Sequence, residues 1–288
     1  NPVMFPRESA TELIGGFRGA TGDPIHVIRW STTDDSRGDV VLLHGYGDYS
    51  SRYRDFAREL NSAGYDVYGI DFAGFGRSGG ASGLIRDFEN LRSDVATLVR
   101  EIADSRPARP IHTMGPSLGG VISVSMLSMD GCREAITTGI ALSPLIAVSG
   151  SPPKAAMPAV RAVATLVPTV PTNSVVPEQI SNDPQTIADF VADPFIFRGK
   201  VPLGSGVQMM SAAEALLADA PSIDQPVLVM YGTGDVFADS SGSQELYSRL
   251  GSSDKRIVEI SGGWHELLFD KHRDEVKSEL YSWLAGHS

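Results

Sequence analysis

The stretch HTMGPSLGGVISVSML (residues 112–127) places Ser117 between a run that favours a strand and a run that can form a helix. Gly115 lies two positions before this serine and Gly119 two positions after it. A serine at a sharp strand-to-helix turn is exposed above the sheet, and these flanking positions must be small because their Cβ atoms would collide with neighbouring chain. The stretch predicts a nucleophile elbow; a plain turn in which Ser117 caps the helix is the alternative.

Strand and helix patterns alternate on both sides of this turn. Before it, the almost wholly apolar run DVVLLHGYG (residues 39–47) predicts a buried strand, and a helix and a second strand ending at Asp71 follow. Further strand and helix patterns lie between the turn and residue 148, and the alternation resumes at residue 206. This pattern predicts an α/β fold, with a mostly parallel central sheet flanked by helices.

Residues 149–205 interrupt the alternation. Nine of the chain's 18 prolines lie between residues 149 and 204, among short apolar clusters and without a convincing strand pattern. We expect an inserted, mostly helical cap over 149–205, so that residues 1–148 and 206–288 together build one core.

Composition excludes several classes of function. The net charge of -11 leaves no basic stripe for nucleic acid. Cys132 is the only cysteine, which rules out an internal disulfide or a cysteine-based zinc site. The first residues lack the basic start and apolar block of a secretory signal, so we expect a cytoplasmic protein, with peripheral contact to membranes.

A nucleophilic serine needs a base and a carboxylate that orients it. His265 follows a late strand pattern through the glycine-rich loop of SGGWHELLFD, although an ordinary loop histidine is the alternative. Asp235 ends the apolar strand PVLVMYGTGD, where its carboxylate would project beyond the carboxyl edge of the sheet. Asp239 and Asp224 are rivals for this role. The order serine, aspartate, histidine along the chain is that of α/β-hydrolases.

Two backbone amides are expected to stabilise the oxyanion that forms when a serine attacks an ester. The Leu118 N–H begins the helix after the elbow, and the Tyr46 N–H follows the His-Gly turn of LLHGYG. Gly45 lets the backbone approach the substrate there. We interpret His44 as a scaffold residue rather than a second base.

Five motifs carry a family resemblance that spans nearly the whole chain outside the cap. They are HGYGDYSSRY (44–53), DFAGFGRSGG (71–80), GPSLGG (115–120), YGTGDVFAD (231–239) and WHELLFD (264–270). In these motifs the chain resembles the monoacylglycerol lipase and lysophospholipase branch of the α/β-hydrolases, grouped with the serine aminopeptidase-like hydrolases. The resemblance implies a catalytic triad of Ser117, Asp235 and His265, with the Tyr46 and Leu118 amides as oxyanion donors.

The chain departs from that family pattern at two places. Asp48 and Tyr49 replace the family's Glu-His pair, and Pro116 replaces the histidine of the elbow. The first departure loosens the assignment to monoacylglycerol lipases in the strict sense. The second removes a polar group beside the nucleophile and spares both glycines.

The resemblance predicts a serine carboxylic-ester hydrolase that cleaves glyceryl or related small esters with one acyl chain through an acyl-enzyme. This chemistry needs no cofactor and no metal. An esterase, lactonase or peptidase of the same fold with a non-lipid substrate is an alternative, as is a noncatalytic, hydrolase-like ligand-binding protein.

The cap composition bears on the substrate. No acidic residue occurs from Ser149 to Pro177, in a segment rich in alanine, valine and proline. An apolar, weakly basic surface suits transient contact with a lipid interface or an acyl-chain tunnel. A helix that packs its apolar side on the core is the alternative.

Overall fold

The computed structural model describes residues 12–33, 35–148, 150 and 152–288. Its strands are β1 Glu12–Arg18, β2 Pro24–Trp30, β3 Gly38–Leu43, β4 Tyr65–Ile70, β5 Ile111–Pro116, β6 Thr138–Leu142, β7 Pro171–Ser174, β8 Lys200–Pro202, β9 Val227–Gly232 and β10 Lys255–Ile260. Its α-helices are α1 Arg54–Ser62, α2 Phe88–Ser105, α3 Leu118–Ser125, α4 Met157–Leu166, α5 Pro177–Ile180, α6 Pro184–Ala192, α7 Leu203–Asp219, α8 Ser240–Arg249 and α9 Arg273–Gly286.

Eight strands form one sheet in the order β1-β2-β4-β3-β5-β6-β9-β10. The six strands from β4 to β10 in this order pair in parallel, whereas β2 runs antiparallel to both β1 and β4. All six residues of β3 are buried, as expected for a strand covered on both faces. The mostly parallel sheet confirms the predicted α/β fold class.

Helices cover both faces of the sheet. Alternate side chains of the central strand β3 therefore enter two separate cores, one on each face. Val41 and Leu43 of β3 pack in the core that contains residues of α2, α3, α7 and α8. Val40 and Leu42 pack in the other core, with residues of α1 and α9. The two cores hold the carboxyl ends of β3, β5, β9 and β10 in place, and the loops that leave those ends carry the predicted site.

β1 was not predicted from the sequence. Its residues, ELIGGFR, include two adjacent glycines and show no clear alternation. A Cβ at Gly16 would lie 2.5 Å from the carbonyl oxygen of Ile25 in β2, so a glycine permits the close pairing here. The same glycine removes the side-chain pattern by which a strand is recognised.

The segment between β6 and α7 lies outside the main sheet. It contains α4, α5 and α6, as the expectation of a mostly helical cap requires, but it also contains the antiparallel pair β7–β8, where no strand was expected. α7 begins at Leu203, three residues before the expected boundary. Ser149, the expected first residue of the cap, lies outside the described residues. We propose residues 149–205 as a cap on the core.

Among the described residues, several hydrogen bonds attach this segment to the core loops. The Phe197 amide donates to the Gly47 carbonyl at 2.7 Å, and the Glu266 amide donates to the Ile180 carbonyl at 3.0 Å. The Tyr49 hydroxyl donates to Asp193 at 2.7 Å, and the Thr186 hydroxyl donates to the Phe269 carbonyl at 2.9 Å. The contacts hold α5 and α6 over the loops that follow β3 and β10.

No helix in the described ranges is both long and apolar enough to cross a membrane.

Candidate active site

Ser117 lies at the corner between β5 and α3. Its φ of 52° and ψ of -119° lie in a region that residues other than glycine rarely adopt. The Ser117 amide donates to the Leu142 carbonyl of β6 at 2.8 Å, and its carbonyl accepts from the Leu145 amide at 3.2 Å. The neighbouring strand therefore holds the strained corner in place and directs Ser117 towards a cavity.

The backbone around this corner leaves no room for side chains at the two flanking glycines. A Cβ at Gly115 or at Gly119 would collide with the Leu43 carbonyl oxygen at the end of β3. At Gly119 it would also lie 2.8 Å from the His44 carbonyl oxygen. This crowding is the physical reason for small residues on both sides of the serine, since β3, β5 and α3 meet here.

His265 and Asp235 are brought together from the loops after β10 and β9. His265 Nδ1 lies 2.7 Å from Asp235 Oδ2, and both side chains are almost fully buried. Asp235 Oδ1 accepts from the amides of Phe237 and Ala238, each at 2.9 Å. An ionised carboxylate can only accept a hydrogen bond, so His265 Nδ1 carries the proton in its contact with Asp235. In a neutral ring with this tautomer, Nε2 is the basic nitrogen.

The two rival carboxylates lie elsewhere and have other partners. Asp239 is exposed and caps α8, where its side chain accepts from the Ser241 amide at 2.8 Å. Asp224 is exposed and pairs with Arg133 at 3.2 Å. Neither carboxylate contacts His265 through a hydrogen bond, whereas Asp235 does.

The loop after β3 presents its backbone to the same corner. Buried His44 donates from Nδ1 to the Gly45 carbonyl at 2.7 Å and accepts at Nε2 from the Phe72 amide at 3.0 Å. Burial lowers the pKa of His44, which keeps its ring neutral. Since the peptide is trans, fixing the Gly45 carbonyl also fixes the opposite direction of the Tyr46 N–H. His44 therefore acts as a scaffold for this loop.

The Leu118 amide is the second candidate donor. Leu118 is the first residue of α3, so its N–H has no acceptor within the helix and carries part of the positive end of the helix dipole. Gly45 is close to this end, because a Cβ on it would lie 3.6 Å from the Ser117 Cβ. The two amide-bearing segments thus flank one serine.

Ser117 and His265 line one cavity of about 80 Å³, together with Gly45 and Tyr46. Most of its wall is apolar and comes from both the core and the cap: Leu145, Val175, Ile180, Phe190, Val201, Met209, Phe237, Leu267, Leu268 and Phe269. An acyl chain suits this wall. The structure thus brings three of the predicted site residues, Tyr46, Ser117 and His265, to the wall of one cavity. The others adjoin them: Asp235 contacts His265, and Gly115, Leu118 and Gly119 form the corner around Ser117.

A polar network in this cavity was not predicted from the sequence. Arg52 donates to Asp48 at 3.0 Å and binds both carboxylate oxygens of Glu266, at 2.7 and 2.6 Å. The Tyr53 hydroxyl donates to Asp48 at 2.6 Å. Burial alone would lower the pKa of Arg52, but Asp48 and Glu266 raise it well above its usual value. The motifs SSRY and WHE were the only sequence signal for this network, which we call the Arg52 network.

Comparison with known proteins supports the family resemblance of the sequence motifs. The family model described as serine aminopeptidase, S33 matches residues 34–272. The chain is 29% identical over 290 residues to a monoacylglycerol lipase of Mycolicibacterium smegmatis, across 97% of this chain and 99% of that relative. It is 26% identical over 284 residues to the monoglyceride lipase of Homo sapiens, across 97% and 90%.

A solved structure shows the same arrangement of elements. The crystal structure of a Paleococcus ferrophilus monoacylglycerol lipase superposes with a TM-score of 0.82 at 27% sequence identity. The superposition covers 92% of this chain and 99% of that one.

Proposed function

Because the chain belongs to the serine aminopeptidase S33 family of hydrolases, we propose that it is a serine carboxylic-ester hydrolase of the monoacylglycerol lipase type. Its substrates are glyceryl or related small esters with one acyl chain. The observation that carries the proposal is that His265, which lies 2.7 Å from Asp235, lines the same cavity as Ser117. The names of its similar proteins, which include monoacylglycerol lipases, support the same substrate class.

Each residue has a defined role in this reaction. Ser117 attacks the ester carbonyl while His265 Nε2 removes its proton, and Asp235 stabilises the imidazolium that forms. The amides of Tyr46 and Leu118 donate to the oxyanion. His265 then protonates the leaving alcohol, and water releases the acid from the acyl-enzyme.

The cap surface supports transient contact with lipid. Four apolar side chains on and after α4 are exposed: Val163 at 49%, Leu166 at 82%, Val167 at 43% and Val170 at 42%. Neighbouring exposed apolar residues of this kind mark an interaction surface. We propose that the protein is cytoplasmic and makes peripheral contact with membranes, from which it takes its substrate.

The products of one reaction test this function. We expect the protein to convert 1-octanoylglycerol to equimolar glycerol and octanoate, with a kcat/KM well above that for an eight-carbon lactone or an aminoacyl anilide. Product analysis by mass spectrometry and an enzymatic glycerol assay measures both products. Turnover of the lactone or the anilide alone would assign a different reaction, and binding of the ester without any turnover would indicate a ligand-binding protein.

A further inference from the structure

Apart from Tyr46, Ser117 and His265, the polar side chains among the described residues that line the cavity belong to the Arg52 network. Asp48, Tyr53 and Glu266 line the same cavity as Ser117 and form its polar stretch, and Glu266 directly follows His265. The rest of the wall is mainly apolar. An acyl chain is stabilised by the apolar wall, so the alcohol part of the ester is the part that meets the polar stretch.

The polar stretch can accept hydrogen bonds but has little capacity to donate them. Two ionised carboxylates offer about eight acceptor positions. The amide of Tyr49, the Arg52 guanidinium and the Tyr53 hydroxyl occupy three positions on Asp48, and Arg52 occupies two on Glu266. The Tyr53 hydrogen is given to Asp48. The positions that remain can accept from a hydroxyl or ammonium group.

Arg52 is not available to bind an anion. Three of its five N–H groups already donate to Asp48 and Glu266, and Arg52 is not among the described residues that line the cavity. Its guanidinium also lies 4.1 Å from the ring centre of Phe269 and 5.5 Å from that of Phe190. The side chain is 10% exposed. Ion pairs and ring contacts therefore hold it in one orientation.

The charges of the Arg52 network do not cancel. Asp48 and Glu266 contribute two negative charges and Arg52 one positive charge, while the neighbouring triad adds the carboxylate of Asp235. Burial reduces solvent screening, so this excess negative charge acts strongly inside the cavity. A leaving group with a phosphate or carboxylate would be repelled there.

We propose that Asp48 and Glu266 select the leaving group of the ester: they favour leaving groups with hydroxyl donors or a positive charge and exclude anionic ones. The inference rests on the proposed ester hydrolysis and narrows its substrates. Glu266 is the main determinant, because only Arg52 occupies its carboxylate. Phosphate-bearing glyceryl esters are excluded even where their acyl chain fits.

Four octanoyl esters with the same acyl chain test this selectivity in the unmodified protein. They are the glyceryl, choline, ethyl and glycerol 3-phosphate esters, each assayed below its micelle concentration. We expect the glyceryl and choline esters to have a higher kcat/KM than the ethyl ester, and the phosphate ester a value at least ~100-fold below the glyceryl ester. Equal values for the glyceryl and phosphate esters would overturn the proposal.

Charge-neutralising variants identify the residues responsible. In Glu266→Gln we expect the preference for the glyceryl over the phosphate ester to fall by about tenfold, and in Asp48→Asn by a smaller factor, because more of the Asp48 carboxylate is already occupied. Glu178→Gln is the matched control, because Glu178 is exposed on α5 and its loss changes the net charge equally. The preference should be unchanged in this control. In the unmodified protein, high salt should weaken the preference less than it would weaken a preference caused by surface charges.

The outcomes separate the two proposals. If no ester is hydrolysed, the proposed function fails; if all four esters react but the glyceryl and phosphate rates change by the same factor in both variants, only the selectivity proposal fails. Thermal unfolding of each variant is measured in parallel, and the substrate series in the unmodified protein gives its result even if a variant does not fold.

Discussion

Replacing Ser117 with alanine is expected to lower kcat/KM for 1-octanoylglycerol by roughly 10⁴-fold or more. The variant lacks the oxygen that forms the acyl-enzyme, and His265 and Asp235 have no other nucleophile to activate. The residual rate is that supported by the Tyr46 and Leu118 amides and by binding alone. Steady-state hydrolysis at saturating substrate measures the loss in kcat, and hydrolysis at limiting substrate measures the loss in kcat/KM.

The fold should be unaffected by this change. Alanine keeps the backbone of Ser117, whose amide and carbonyl make the contacts that anchor the corner. Thermal unfolding should therefore match that of the unmodified protein, and Ser248→Ala, on the exposed side of α8, serves as a matched control that keeps full activity. If Ser117→Ala kept more than a tenth of the activity, Ser117 would not be the nucleophile.

Replacing Asp235 with asparagine is expected to lower kcat by about 10⁴-fold. The amides of Phe237 and Ala238 require an acceptor at the Oδ1 position. The side-chain nitrogen of the asparagine is thereby placed at the Oδ2 position, where it faces His265 Nδ1. The imidazole must then carry its proton on Nε2, and this tautomer cannot accept the Ser117 proton.

Two rival aspartates provide the matched controls for this prediction. Asp239→Asn and Asp224→Asn make the same chemical change on exposed side chains that have other partners. Both variants should keep activity within about twofold, and all three variants should unfold at similar temperatures. A larger loss of activity in Asp239→Asn than in Asp235→Asn would transfer the orienting role to Asp239.

The family and the fold class could be predicted from the sequence because their signals are local. Buried parallel strands are apolar throughout, and the strand, small-residue corner and helix around Ser117 are continuous in the chain. The loops after β9 and β10 then place Asp235 and His265 at the same edge of the sheet, which follows from the strand order.

The elements that were missed have no such local signal. β7 and β8 have four and three residues, and every residue of β7 is exposed, so burial leaves no alternation to read. β1 contains adjacent glycines. In each case the pairing partner determines the strand, and the partner is not visible in the segment itself.

The Arg52 network was missed for a different reason. Arg52 and Glu266 are 214 positions apart, and each lies in a segment where charged residues are ordinary. Sequence alone does not show which opposite charges meet. Only the fold, which brings the loops after β3 and β10 together, shows that this arginine is paired with two carboxylates behind the cavity wall.

Covalent labelling of the nucleophile tests the central claim most directly. A fluorophosphonate with an octyl chain transfers its phosphonyl group to an activated serine oxygen and releases fluoride. After digestion and mass spectrometry, we expect one adduct, on Ser117, which 1-octanoylglycerol prevents by competition and which Asp235→Asn slows. An adduct on another residue, or an active protein that is not labelled at all, would contradict the account.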